Sequence, residues 1–169
     1  MSARRSSATC ATDAIDEAAE PVSRADAPLD LAALTQITGY PLRRAQLAVF
    51  DDFSRRFAAL DLTPAQYSAL VAIADNPGRK QTEIAGALGI QRPNFVAMMD
   101  ALERRGLAER LRSETDRRSH ALMLTQAGVA LVARARATQA AQEAAIVQTL
   151  GEEGRRTLVA LLRRLAGIE

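Results

Sequence analysis

A chain of 169 residues with 48% hydrophobic content can bury one good core and is too short to divide into two enzyme-sized domains. Its net charge of +2 says little about nucleic acid until it is divided: residues 1–30 carry three arginines against six acidic side chains, so the basic excess lies in the remainder. No long apolar run of membrane-spanning length occurs, and the first residues, MSARRSS, lack the apolar stretch of a leader, which predicts a cytoplasmic protein without a membrane partner.

Residues 1–30, rich in Ser, Ala, Thr and acidic groups and holding Pro21 and Pro28, read as a disordered tail. The single cysteine, Cys10, falls there with no cysteine or histidine at metal-ligand spacing, so it reads as an incidental thiol and no metal is expected. Over residues 42–60, Leu42, Ala45, Val49, Phe53 and Phe57 recur at helical spacing and predict a first long helix. Its other face, with Arg43, Arg44, Arg55 and Arg56 beside Asp51 and Asp52, reads as solvated surface. Thr63-Pro64 is a helix start, a hydroxyl cap followed by proline at the first helical position, and that helix carries Tyr67, Leu70, Val71 and Ile73 before stopping near Asn76-Pro77-Gly78.

Residues 81–125 are the most informative stretch. Ile84, Ala85 and Leu88 form an apolar face, Gly89 interrupts it and Pro93 opens another helix, the punctuation of a helix-turn-helix. In the second helix Phe95, Met98, Met99 and Leu102 fall at i, i+3, i+4, i+7 and face a core, leaving Gln91, Arg92, Asn94, Ala97 and Ala101 outside. Amide and guanidinium groups at the N-terminus of a groove-binding helix can pair with base edges, so Gln91, Arg92, Asn94 and Ala97, with Gln81 and Thr82 from the preceding helix, are the candidate DNA contacts. Arg104 and Arg105 read as a solvated helix end or as phosphate contacts, and Gly106 ends the helix. Residues 107–112 and 119–124 are strand-like and residues 113–118 turn-forming, together a β-hairpin wing. Arg117 and Arg118 belong near its tip, where a guanidinium can enter the minor groove, and Asp116 could hold one of them.

Thr125 can cap a long, alanine-rich helix over residues 126–150, after which Gly151 and Gly154 mark a break. A last helix carries Leu158, Leu161, Leu162 and Leu165 as an apolar stripe with no obvious intrachain partner, so a second subunit is the economical cover. His120 is the only histidine and Asn76-Pro77-Gly78-Arg79 lacks the spacing of a phosphate loop, so neither an enzyme nor a bound cofactor is expected.

Three motifs, LERRGL over residues 102–107, Asp116-Arg117-Arg118-Ser119, and Leu124-Thr125-Gln126-Ala127-Gly128, resemble the MarR family of bacterial winged helix-turn-helix regulators, and the resemblance runs over residues 35–168. It implies a mainly α fold with a small β-hairpin wing, with a DNA-binding domain over residues 61–125 and a helical dimerisation region from residues 31–60 and 126–168. It also implies a homodimer on a pseudo-palindromic operator, and a crevice bearing Tyr40, Arg43, Arg44, Tyr67 and His120. Family members that sense peroxide use a cysteine in their first helix, a place Cys10 does not occupy. The implied effector is a small aromatic carboxylate or its coenzyme A thioester, and the doubled arginine leans towards the thioester. Against that stands a solvated Arg43 and Arg44 paired with Asp51, Asp52 or the partner subunit. The implied mechanism is release of the operator by a ligand-driven population shift, making the protein a ligand-responsive repressor; the alternative is an architectural or constitutive DNA-binding protein without an effector.

Overall fold

The computed structural model describes residues 28–112 and 120–168, with the backbone alone at Arg112 and His120. The predicted tail and the wing-tip candidates Asp116, Arg117 and Arg118 lie outside the described residues. Among the described residues six α-helices and one hairpin follow in order, with a 3-10 turn at Ala58–Leu60 after the second: α1 Ala32–Thr35, α2 Gly39–Phe57, α3 Pro64–Asp75, α4 Gln81–Ala87, α5 Arg92–Arg104, β1 Ala108–Arg112, β2 His120–Leu124 and α6 Gln126–Ala166. The expected fold, mainly helical with one antiparallel hairpin, is the one observed. Among the described residues no single helix is long and apolar enough to cross a membrane.

Helix ends form where local chemistry satisfies the orphan backbone groups. Thr63 and Gln66 make a reciprocal capping box at α3, with Gln66 N–H donating to Thr63 Oγ1 at 3.2 Å and Thr63 N–H to Gln66 Oε1 at 3.0 Å. Helix α5 closes on Gly106 at φ 67°, with Gly106 N–H donating to the Glu103 carbonyl and Leu107 N–H to that of Leu102, a pairing that needs the left-handed conformation glycine adopts freely. Thr125 caps α6 by accepting from Gly128 N–H at 3.1 Å, and its hydroxyl donates to the Gly106 carbonyl at 2.6 Å. Gly128 sits so close to β1 that a Cβ there would fall 1.9 Å from the Leu107 carbonyl oxygen.

Phe57, Leu70, Ile73, Phe95, Met99, Leu102 and Leu122 are fully buried where α2, α3, α5, the hairpin and the first half of α6 meet. Each such side chain contributes roughly 1.5–3 kcal/mol by leaving water. Phe53 and Phe57 stack at 3.7 Å between centroids, and Tyr67 meets Phe57 edge-on at 5.2 Å. Strands β1 and β2 pair antiparallel from Ala108 with Leu124 to Arg112 with His120, and a bridge from Lys80 to Ala121 ties the start of α4 to the hairpin's other edge.

The predicted stripe on α2 divides in two. Phe53 and Phe57 enter the core, whereas Leu42 and Val49 are exposed, because α2 projects past the globule that receives its C-terminal end. Helix α6 is broken at Gly151, whose φ of 71° and ψ of 163° are not helical. Glu143 and Arg155, which a straight helix would separate by about 18 Å, approach to 2.7 Å, so the chain folds back at the glycine. Gln142, buried in α6, donates to the Val49 carbonyl at 2.9 Å and joins that helix to α2. Most of the exposed large apolar side chains, among them Leu29, Ile37, Leu47, Phe50, Leu161 and Leu165, fall before residue 51 or after residue 149.

Candidate nucleic-acid interface

Helix α5 lays Phe95, Met99 and Leu102 into the core and presents Gln91, Arg92, Asn94 and Ala97 to solvent at its opposite side and N-terminus. Pro93 sits in the first turn, where it lacks only an N–H that has no helical partner there. Arg92 has no ion-pair partner among the described residues, so its guanidinium is available for an outside acceptor. Thr82 is exposed on α4, but Gln81 is half-buried and its Oε1 accepts from Arg110 Nε at 2.9 Å.

The two arginines at the end of α5 divide. Arg104 is exposed, its Nε donating to the Asp100 carbonyl at 3.3 Å, and remains accessible to phosphate. Arg105 is instead held within the fold, donating to the Asp61 carbonyl at 2.6 Å and to the Leu60 carbonyl at 3.3 Å, so it anchors the turn after α2. Sequence reasoning missed Arg110 on β1. Its guanidinium reaches Gln81, Asp100 Oδ1 at 2.7 Å, the Val96 carbonyl at 3.2 Å and Glu103, whose other carboxylate oxygen accepts from Arg110 N–H at 2.8 Å.

The crevice candidates are scattered in a single chain. Tyr40 is half-buried in the first turn of α2, and Arg43 and Arg44 are exposed one turn later. The alternative pairing with Asp51 and Asp52 does not form, because those carboxylates bind Arg55 and Arg56 one turn ahead, Asp52 to Arg56 at 2.6 Å. Tyr67 packs on Phe53 and Phe57, at least nine residues further along α2 than Arg44 and so about 13 Å away along the helix. The structure therefore does not bring Tyr67 together with Arg43 and Arg44 within one chain. His120 pairs with Arg112 at the wing end of β2, away from α6.

Cavities line α6 instead. One, of about 370 Å³, lies between the end of α3, β2 and the first turns of α6, with Ile73, Pro77, Met123, Leu124 and Val132 as apolar wall and Arg136 at its edge. Arg136 pairs there with Asp75 at 2.5 Å. Another, of about 390 Å³ and mostly apolar, lies between α2 and α6 against Ala45, Val49, Gln142, Ile146 and Leu158. Burial pushes the Tyr67 phenol above the ordinary tyrosine value, an effect that nearby Arg136 opposes and that Asp75 and Glu143 reinforce.

Residues 60–119 match the MarR family. A Thauera aromatica protein named for transcriptional regulation of the hcr operon is 38% identical over 128 residues, spanning 75% of this chain and 77% of that protein. The chain belongs to the MarR family of transcriptional regulators. Among solved structures, the transcriptional repressor CouR bound to a 23-mer DNA duplex superposes with a TM-score of 0.81 at 51% identity, covering 83% of this chain and 99% of CouR. CouR bound to p-coumaroyl-CoA gives 0.76 at 48% identity, covering 82% and 98%. PcaV from Streptomyces coelicolor, in complex with its natural ligand, gives 0.71 at 26% identity, covering 83% and 97%.

Proposed function

We propose that this protein is a homodimeric, ligand-responsive repressor that binds a pseudo-palindromic operator through α5 and the wing, and that an aromatic acyl-coenzyme A thioester releases it. The carrying observation is the exposed set Gln91, Arg92 and Asn94 on the first turn of a helix locked by Phe95, Met99 and Leu102. Fixed donors at a helix N-terminus suit base edges in the major groove, and Arg118 would add a minor-groove contact from the wing. Residues 61–125 form the DNA-binding domain in this reading, and residues 31–60 and 126–168 the dimerisation region.

The likeness to CouR, in a DNA-bound form and a p-coumaroyl-CoA-bound form, supports the thioester over the free acid. Arg43 and Arg44, exposed and without an acidic partner among the described residues, are where this reading places the anionic part of such a ligand. Their distance from Tyr67 within one chain is no obstacle if the partner's α2 completes the site.

Fluorescence anisotropy on duplexes tiled across the promoter of the protein's own gene, with and without p-coumaroyl-CoA, tests the reading. Specific binding that the thioester abolishes is expected. Specific binding indifferent to p-coumaroyl-CoA and to free aromatic acids would favour the constitutive DNA-binding alternative.

A further inference from the structure

Arg110 is the most densely bonded side chain among the described polar residues, and its one hydrogen bond to a candidate DNA contact is to the half-buried Gln81. Its side chain is only 17% exposed. One guanidinium reaches α4 through Gln81 and three successive turns of α5 through the Val96 carbonyl, Asp100 and Glu103. Glu103 closes a ring by accepting from both the Arg110 side chain and its backbone N–H. An arginine fork can hold this many acceptors in fixed directions, whereas lysine, a point charge on a flexible stem, cannot.

The placement matters because β1 leads directly into the wing while α5 carries the base-facing residues. Strand and helix are otherwise joined by the Gly106 turn and by the apolar cluster that holds Leu102, Leu107 and Ala108, which resists separation but resists rotation and sliding weakly. We propose that Arg110 is a positioning residue that fixes the wing at one angle to α5 and α4, so that groove-reading helix and wing meet the operator as one rigid body. The proposal rests on the DNA-binding reading above and assigns to a residue outside the candidate base-reading set the power to discriminate operator from other duplexes.

The test compares wild type, Arg110→Lys, which keeps the charge, and Glu103→Gln, which leaves the arginine its other partners. Anisotropy with operator and scrambled duplex over a range of salt is paired with hydrogen exchange on the free protein. Both variants should fold and lose about tenfold in the ratio of operator to scrambled affinity, with an unchanged slope of log K against log salt. Amides of residues 92–97 and of β1 should exchange faster in the free variants. In a further variant, Arg110→Gln, which removes the charge, a slope reduced by about one per protomer would overturn the proposal in favour of a direct phosphate contact. An unchanged affinity ratio in a folded Arg110→Lys protein would equally overturn it. Should that variant not fold, Glu103→Gln with wild-type discrimination and exchange would do so. A wild type preferring no duplex would end the DNA reading and this assignment of specificity, whereas faster exchange in the variants would still establish the clasp, so the two failures are distinguishable.

Discussion

Thr125 performs three tasks with one short side chain and its own amide. The hydroxyl donates to the Gly106 carbonyl, its oxygen accepts from Gly128 N–H, and the Thr125 amide donates to the Leu107 carbonyl at 3.2 Å. Thr125→Val keeps the shape and removes both hydroxyl bonds, and should lower stability in a denaturant titration by about 1–2 kcal/mol. Tyr67 gives a residue-level pH prediction. Burial raises its phenol above the ordinary value of 10.0, so the folded state holds that proton more tightly than the unfolded chain does. The resulting stabilisation is complete below pH 10 and is lost as pH rises through the shifted value. A Tyr40→Phe protein followed at 295 nm should show phenolate appearing at higher pH when folded than in denaturant. At this scale the sequence was legible where partners are close neighbours: Thr63 as the cap of the helix it precedes, Gly106 as the end of the helix it follows. Arg105, Arg110 and Arg136 were not, because their partners lie up to 61 residues away. Arg110 was further disguised by strand pattern, since alternation alone would bury Leu111, which is 44% exposed, and expose the arginine.

Among the elements, α5 was the most readable, because a single stripe at helical spacing settles which side is buried. Arg92→Ala or Asn94→Ala should relax preference at one base pair per half-site, whereas Arg104→Ala should weaken all sequences alike, as binding-site selection would reveal. An unchanged selected motif in both former variants would remove them from base reading. Arg118→Ala should weaken operator binding by about 1–3 kcal/mol with Arg117→Ala weaker in effect, measured at matched salt. Helix α2 was read less well: its periodicity is continuous, yet only its C-terminal part meets the chain's own core. Periodicity reports a face that is covered and is silent about what covers it. The same limit separated Tyr67 from Arg43 and Arg44, since positions on two helices do not say where the helices cross.

For the molecule as a whole, the N- and C-terminal segments expose leucines and isoleucines that the winged body does not cover. The proposed dimer covers them, and sedimentation should find a species of twice the 18.2 kDa chain mass. A folded monomer retaining operator affinity would sink that assignment. Beyond Gly151 the second part of α6 is held to its own chain by the Glu143–Arg155 pair, and it shares with Leu42 of α2 an open apolar cleft lined by Val159 and Leu162. In the proposed dimer such a segment gains most of its burial from the partner subunit, so dilution should act on it as a denaturant does. The melting temperature should climb with protein concentration, and amide exchange over residues 158–166 should quicken on dilution long before that over residues 126–142 changes.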